Sequence, residues 1–150
     1  MRNYRVVHKQ TEGAKMMIES GGRESKVLIV DDDKSVTNFL ERFLKQKGYL
    51  CVQSVETGKE ALGIIKKEDI KLVLLDIKLP GIDGIEVLRK IKELKKDTDV
   101  IMITGFPEET TAKEALKLGA YDYIIKPFDL AYLELCVLTK IIAKTPPQQK

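Results

Sequence analysis

The sequence predicts an α/β fold built on a parallel β-sheet, and two observations lead to this prediction. Short, largely apolar runs occur five times along the chain, and those at residues 26–30 and 72–75 are typical of strands buried on both faces. Segments with apolar residues at helical spacing separate these runs. Strands that alternate with helices are joined by right-handed crossovers, so we expect the strands to be parallel.

The predicted strands cover residues 26–30, 50–55, 72–75, 100–103 and 121–125. Ligands of an open parallel sheet bind at the carboxyl ends of its strands, so the residues that follow each strand matter most. The first strand runs into Asp31-Asp32-Asp33, and the third ends at Asp76 before a Pro-Gly turn. The fourth strand ends at Thr104-Gly105 and the fifth at Lys126-Pro127.

The first three helices are predicted from apolar periodicity and from residues that start or stop a helix. The first helix ends at Lys47-Gly48, a cation followed by glycine. The second opens at Thr57-Gly58, and the third follows the turn after Asp76. The residues expected to face the core are Val36, Phe39, Leu40, Phe43 and Leu44 in the first helix, Ala61, Leu62 and Ile65 in the second, and Ile85, Leu88, Ile91 and Leu94 in the third.

The last two helices complete the predicted domain. The fourth helix is expected to begin near Pro107, because proline suits a first helical turn, and to close at Gly119. Its inward residues would be Ala112, Ala115 and Leu116. Asp129 is a suitable N-cap for a fifth helix that runs to about residue 143, and the prolines beyond it cannot continue a helix. We therefore expect a domain over residues 26–144, a tail over 145–150 and an N-terminal extension over 1–25, flexible or with a short helix near Met16-Met17-Ile18.

Composition excludes several classes of protein. No apolar run approaches the roughly 20 residues that cross a bilayer, and no apolar stretch follows the basic N-terminus, so neither a membrane protein nor a secretory signal is expected. The net charge of +3 comes from the first 26 residues, so nucleic-acid binding by the domain itself is not expected. Cys51 and Cys136 lie far apart in apolar segments, which indicates reduced core residues of a cytoplasmic protein.

The side chains expected at the carboxyl edge of the sheet predict a metal and phosphoryl site. Asp31, Asp32 and Asp76 would repel one another unless a cation intervenes, and a hard divalent ion such as Mg²⁺ suits carboxylate oxygens. Thr104 can donate a hydrogen bond to a phosphoryl oxygen, and Lys126 can pair with its charge. A carboxylate in this position is a credible phosphoryl acceptor that forms an acyl phosphate.

The chain resembles the receiver domain of two-component response regulators over residues 26 to about 144. The resemblance implies a (βα)₅ flavodoxin-like, doubly wound parallel sheet of five strands in the order 2-1-3-4-5. Four motifs carry the resemblance: Val-Leu-Ile-Val-Asp31-Asp32-Asp33, Leu-Leu-Asp76-Ile-Lys-Leu-Pro80-Gly-Ile-Asp83-Gly84, Ile-Thr104-Gly105 and Tyr123-Ile-Ile-Lys126-Pro127-Phe128. Each motif alone is a weak signal, whereas their combination is highly specific for the family.

The resemblance also implies the roles of individual residues. Asp76 would be the phosphoacceptor, and Asp31 and Asp32 would hold Mg²⁺, or Mn²⁺ in its place, together with Asp76 and the backbone carbonyl of Lys78. Asp33 would be acidic without being a direct ligand. The remaining roles are phosphate binding by Thr104, Gly105 and Lys126, switching by Thr104 and Tyr123, a cis peptide before Pro127, and tuning of the phosphoryl lifetime by Lys78 and Phe106.

The function implied by the resemblance is phosphorelay signalling rather than enzymatic turnover. A sensor histidine kinase or phosphotransfer protein would supply the phosphoryl group, and the face formed by the fourth helix, fifth strand and fifth helix would change. A second apolar stripe on the last helix, at Leu135, Leu138 and Ile142, suggests a homodimer or partner surface, unless the N-terminal extension covers it.

Two other interpretations remain open at this stage. Asp31-x-Asp33-x-Ser35 after an apolar strand resembles the nucleophile motif of haloacid-dehalogenase-type phosphohydrolases, but no acidic pair follows Lys126 and the interpretation leaves Asp76 unexplained. A degenerate receiver that serves only as a binding module is the second alternative, and the intact set of acidic residues argues against it.

Overall fold

The computed structural model describes residues 24–144 and the side chains of residues 24–137. Five strands and five helices alternate along this part of the chain, as the sequence predicts. The strands are β1 (Lys26–Val30), β2 (Cys51–Val55), β3 (Ile70–Leu75), β4 (Asp99–Thr104) and β5 (Asp122–Ile125). The helices are α1 (Lys34–Gln46), α2 (Gly58–Lys67), α3 (Gly84–Leu94), α4 (Glu109–Lys117) and α5 (Leu130–Lys144).

The strands form one parallel sheet in the order β2-β1-β3-β4-β5, which confirms the expected topology. In the register between β1 and β3, Val30 lies beside Leu75. The next residue of each strand therefore emerges at the same place on the carboxyl edge. These residues are Asp31 and Asp76, so the register of two central strands brings two carboxylates together.

Helices cover both faces of the sheet, because alternate strand residues point to opposite sides. Leu28 and Val30 of β1 belong to a core that is shared with α2, α3 and α4. Val27 and Ile29 belong to a second core that is shared with α1 and α5. The central strands are consequently buried on both sides, which explains their nearly continuous apolar sequence.

Capping side chains set the first residue of three helices. Asp33 accepts a hydrogen bond from the backbone N–H of Ser35 (2.9 Å) at the start of α1, and Asp83 accepts one from the N–H of Glu86 (3.0 Å) at the start of α3. Thr57 and Glu60 bond reciprocally to each other's backbone N–H at the start of α2. Such caps satisfy donors that a helix leaves unpaired at its N-terminus.

Several predicted positions differ in the structure. Phe39, Leu94 and Leu116 were expected in the core, but all three are exposed. The ring of Phe39 lies beside those of Phe43 and Phe128 instead. Leu94 is the last residue of α3, whereas α4 is a short helix that buries Ala115 and leaves Leu116 facing solvent.

Cys51 is also exposed rather than part of the core, because it is the first residue of the edge strand β2, whereas Cys136 is buried. Pro107 lies two residues before the first residue of α4 instead of within its first turn.

Other predictions concern parts of the chain outside the described residues. The extension with Met16-Met17-Ile18 and the tail at residues 145–150 fall in this category, as do the side chains of Leu138, Ile141 and Ile142. The described part of α5 buries Leu133, Cys136 and Val137 and exposes Leu130 and Leu135. Among the residues that the structure describes, no helix combines the length and the hydropathy needed to cross a membrane.

Candidate functional site

The carboxyl edge of the sheet presents two buried carboxylates on adjacent strands. The backbone N–H of Asp31 donates to the carbonyl of Val55 (3.1 Å), and that of Asp76 donates to the carbonyl of Val30 (3.0 Å). The hydrogen-bond ladder therefore extends one residue beyond β1 and β3 and fixes both backbones. Asp31 is 3% exposed and Asp76 is 6% exposed. Burial of charged groups at this level requires compensation by other charges or by a metal ion.

A third carboxylate completes a cluster that suits a divalent cation. One carboxylate oxygen from each of Asp31, Asp32 and Asp76 lies within 4.8 Å of the other two. Asp32 is exposed, so the cluster opens to solvent on one side. Three oxygen ligands with an open side match the preference of Mg²⁺, which binds few carboxylates and keeps several water molecules. The residues present therefore fit the expected magnesium ion.

Lys126 directly follows the edge strand β5 and extends along the carboxyl edge of the sheet to this cluster. Its ammonium Nζ lies 2.7 Å from Oδ2 of Asp31 and 3.4 Å from Oδ2 of Asp76. The backbone N–H of Lys126 donates to the carbonyl of Thr104 (2.8 Å), so the pairing of β4 with β5 sets where the lysine begins. The structure thus places a cation in direct contact with both buried carboxylates.

The pKa shifts of Asp76 and Lys126 indicate that the ammonium of Lys126 only partly offsets the buried negative charge. Burial raises the pKa of the Asp76 carboxyl, and the nearby charge of Asp31 raises it further, although Lys126 acts in the opposite direction. Burial alone would lower the pKa of Lys126, but hydrogen bonds to Asp31 and Asp76 and the charges of both carboxylates raise it overall. One ammonium therefore does not offset the carboxylates, and a bound divalent cation would relieve the remaining repulsion.

Thr104 and Gly105 lie at the end of β4 beside the lysine. Thr104 is fully buried, and its hydroxyl oxygen accepts a hydrogen bond from the backbone N–H of Phe106 (3.0 Å). Because this bond uses a lone pair, the hydroxyl hydrogen can still be donated to a ligand. Gly105 is exposed, and a Cβ atom there would lie 3.9 Å from Cδ of Lys126. The peptide bond between Lys126 and Pro127 is cis.

Tyr123 and Lys78 flank the site without touching the carboxylates in any described contact. Tyr123 packs against the core beneath α2, α3 and α4, and its hydroxyl is buried with no hydrogen-bond partner among the described residues. The ammonium of Lys78 lies 5.1 Å from the centre of the Phe106 ring, a cation–π contact that joins the loop after β3 to the loop after β4.

Gly84 supports the loop that follows β3, a role that sequence reasoning missed. Its N–H donates to the carbonyl of Ile77 (2.7 Å). A Cβ atom at Gly84 would lie 2.1 Å from the carbonyl oxygen of Asp76 and 2.6 Å from Cα of Ile77. The start of α3 therefore packs directly against the backbone of Asp76. The Asp83-Gly84 pair was the available signal, but it entered the sequence analysis only as part of the motif that carries the family resemblance.

Asp33 has a structural role and lies outside the cluster of Asp31, Asp32 and Asp76. Its Oδ1 accepts hydrogen bonds from the N–H (2.9 Å) and the hydroxyl (2.7 Å) of Ser35, and these bonds lower the pKa of its carboxyl. The backbone N–H of Asp33 in turn donates to Oδ1 of Asp31 (2.9 Å). The phosphohydrolase interpretation needs Asp33 as a reactive partner of Asp31, whereas here Asp33 caps α1.

A doubly wound α/β sheet with an acidic cluster and a lysine at its carboxyl edge defines the class of protein. It is an α/β domain whose acidic pocket can hold a divalent cation beside a positively charged side chain. Comparison with known proteins gives the family within this class. Residues 27–137 match the sequence profile of the response regulator receiver domain. The chain therefore belongs to the receiver domains of two-component response regulators.

Individual relatives agree with this assignment. The chain is 40% identical over 105 residues to sporulation initiation phosphotransferase F of Bacillus subtilis, which covers 70% of this chain and 84% of that protein. It is equally similar, over the same length, to the transcriptional regulatory protein ResD of B. subtilis, but spans only 43% of ResD. A crystal structure of the CheX–CheY–BeF3–Mg²⁺ complex from Borrelia burgdorferi matches with a TM-score of 0.72 and 34% identity, covering 77% of this chain and 87% of that one.

Proposed function

We propose that this chain accepts a phosphoryl group on Asp76 from the phosphohistidine of a sensor histidine kinase or phosphotransfer protein. A carboxylate oxygen of Asp76 forms a bond to phosphorus, and the phosphorus–nitrogen bond of phosphohistidine breaks with its electron pair returning to the imidazole. The observation that carries the proposal is the contact of the Lys126 ammonium with Asp31 and Asp76 within a cluster of three carboxylates. The chain would act as a phosphoacceptor that signals, rather than as an enzyme with a separate substrate.

The acidic residues are proposed to hold the metal ion that this transfer needs. Asp31, Asp32 and Asp76 are the candidate carboxylate ligands, and the backbone carbonyl of Lys78 is a fourth. Bound Mg²⁺, or Mn²⁺ in its place, would supply charge neutralisation for the phosphoryl oxygens. The raised pKa of Asp76 supports this assignment, because it reflects burial and the repulsion by Asp31.

Lys126, Thr104 and Gly105 are proposed to bind the phosphoryl group after transfer. The ammonium of Lys126 already lies 3.4 Å from Oδ2 of Asp76, so a small shift lets it pair with phosphoryl oxygens. Thr104 can donate its hydroxyl hydrogen to another oxygen. Gly105 lacks a side chain where the phosphoryl group would approach, and a Cβ there would meet nothing closer than Lys126.

Movement of Thr104 towards the phosphoryl group is proposed to switch the surface formed by α4, β5 and α5. Tyr123 on β5 would respond, because its buried hydroxyl has no hydrogen-bond partner among the described residues and its rotation would break no such bond. These elements expose large apolar side chains that suit a partner or a second copy of the chain. The exposed side chains are Leu116 on α4, Ile125 on β5, Leu130, Tyr132 and Leu135 on α5, and Tyr121 in the loop directly before β5.

The direct test is incubation with acetyl phosphate and Mg²⁺ followed by mass spectrometry of the intact chain. The unmodified chain should gain the mass of one phosphoryl group, and Asp76→Asn should gain none. Asp69→Asn is the matched control, since Asp69 is exposed, forms an ion pair with Lys71 and lies outside the site. Asp32→Asn keeps the acceptor but removes a metal ligand, so it should need more Mg²⁺ for the same incorporation.

Two outcomes would contradict the proposal. Full incorporation in Asp76→Asn would remove Asp76 as the acceptor. Failure of the unmodified chain to bind Mg²⁺ at millimolar concentration would favour a degenerate receiver that acts only as a binding module. Size measurement with and without a phosphoryl mimic separately tests whether the face formed by α4, β5 and α5 makes a homodimer.

A further inference from the structure

A groove of about 510 Å³ lies between α2 and the loop that joins β3 to α3. It shares no residue with the carboxylate cluster. Its apolar lining comes from Leu62 on α2 and from Pro80 and Ile82 on the loop, and its lysines are Lys59 and Lys66 on α2. The apolar surface is therefore bordered by two positive charges on one side.

The walls of this groove are held in place by close packing. A Cβ atom at Gly58, the first residue of α2, would lie 2.4 Å from Cγ2 of Val87 and 3.0 Å from Cγ1 of Ile82. Leu62 and Ile82 also pack, partly buried, against the core beneath α2 and α3. The apolar walls of the groove therefore belong to two elements that pack directly against each other.

Gly63 keeps the middle of the groove open. It lines the groove between the two lysines, and a Cβ atom there would have no neighbour within 4 Å. Glycine inside a helix costs roughly 0.5–1 kcal/mol relative to alanine, and alanine would fit here without a clash. The helix therefore carries a destabilising residue at the position where a bound molecule would approach its backbone.

The two lysines that border the groove have charge available for a ligand. Within residues 24–137, neither Lys59 nor Lys66 forms an ion pair, whereas Lys26, Lys34 and Lys71 each pair with a carboxylate. Lys59 and Lys66 are seven residues apart, which is two helical turns and about 10 Å along the axis of α2. Their spacing puts both ammonium groups on the same side of the helix.

We propose that this groove binds an acidic amphipathic segment of a partner polypeptide. The apolar side chains of the segment would cover Leu62, Pro80 and Ile82, and carboxylates two helical turns apart would pair with Lys59 and Lys66. This arrangement is the helix-in-groove mode of recognition, in which anchors recur on one helical face. The surface is separate from that of α4, β5 and α5, and binding requires neither Mg²⁺ nor a phosphoryl group.

The test is an NMR titration of the isotope-labelled 150-residue chain with a synthetic helical peptide. The probe is alanine-rich, with two glutamates seven residues apart and two leucines between them. Amide shifts should concentrate on α2 and on the loop after β3. Lys66→Glu should weaken the affinity about tenfold, through loss of one ion pair and gain of repulsion. Lys67→Glu is the matched control, because it makes the same charge change on α2 outside the groove, and its affinity should stay within about twofold.

A second variant tests the apolar part of the groove. Gly63→Leu places a side chain in the open space while adding a good helix former, so the chain should fold and should lose binding of the peptide. Equal binding of a peptide with lysines in place of the glutamates would overturn the proposal. So would equal losses in Lys66→Glu and Lys67→Glu, unchanged binding by a folded Gly63→Leu chain, or no shifts at all at low salt.

Discussion

Replacement of Gly84 by alanine should destabilise the folded chain far more than replacement of Gly63 by alanine, although both glycines lie in helices. At Gly84 the new methyl group would sit 2.1 Å from the carbonyl oxygen of Asp76 and 2.6 Å from Cα of Ile77. Ordinary contacts of this kind are 3.4–4 Å, so the backbone must move by about 1 Å. At Gly63 the methyl group would meet nothing within 4 Å.

The two substitutions are expected to change the free energy of unfolding in opposite directions. Because the atoms that clash at Gly84 belong to the backbone, a rotamer change cannot relieve the contact, and we expect a loss of about 3 kcal/mol, near the upper end for overpacking. Gly63→Ala should gain about 0.5–1 kcal/mol from helix propensity. For a chain of this size the melting temperature should fall by about 10 °C in the first case and rise by about 2 °C in the second.

Urea unfolding at pH 7, followed by circular dichroism, measures both changes, and the m-values should agree with that of the unmodified chain. The change in the free energy of unfolding for Gly58→Ala should fall between those of the other two substitutions, since its methyl group would meet the side chains of Val87 and Ile82. Gly84→Ala should also weaken Mg²⁺ binding about tenfold, because it displaces the backbone of a proposed ligand. A Gly84→Ala chain within 0.5 kcal/mol of the unmodified one, or an equal loss in Gly63→Ala, would refute the reasoning.

Three further predictions concern the carboxylate cluster, the proposed switch and the cysteines. Asp76→Asn should stabilise the metal-free chain at pH 7. The pKa of Asp76 is higher in the folded chain than in the unfolded one, so ionisation of this carboxyl lowers the free energy of unfolding as the pH rises above the unfolded pKa. The gain should disappear at pH 3, where the carboxyl is protonated in the folded chain. At pH 7, Mg²⁺ at 100 times its Kd should stabilise only the unmodified chain, by about 2.7 kcal/mol, in thermal melts. Tyr123→Phe should gain about 1 kcal/mol in urea unfolding, since it removes a buried hydroxyl without a described partner; a loss of similar size would show that the hydroxyl is paired. Exposed Cys51 should react with a thiol reagent at least about tenfold faster than Cys136, which is buried and whose pKa is raised by that burial; equal rates in the folded chain would contradict the structure.

The strands and the residues at their carboxyl ends could be predicted from the sequence alone. A strand buried on both faces must be apolar along its length and must stop where it reaches solvent, so a carboxylate directly after such a run marks the edge of the sheet. Asp31, Asp76 and Lys126 were found in this way, and the structure brings their side chains into contact.

The positions that sequence reasoning missed depend on how elements pack against one another. Apolar periodicity defines a helical face but not how far the neighbouring elements extend over it. For this reason Phe39, Leu94 and Leu116 were placed in the core although all three are exposed. The contact of Gly84 with the backbone of Asp76 depends on the angle at which α3 meets the loop. Periodicity carries no information about that angle. The exposure of Cys51 follows from the sheet order, which periodicity also leaves undetermined.

The bond between Lys126 and Asp31 joins residues that are 95 positions apart in the chain. During synthesis on the ribosome, Asp31, Asp32 and Asp76 all emerge well before the lysine that contacts two of them. A nascent chain that lacks β5 carries the carboxylates without their positive partner. The pairing of Lys126 with Asp31 and Asp76, on which the proposed phosphotransfer depends, would then form only after β5 has joined the sheet.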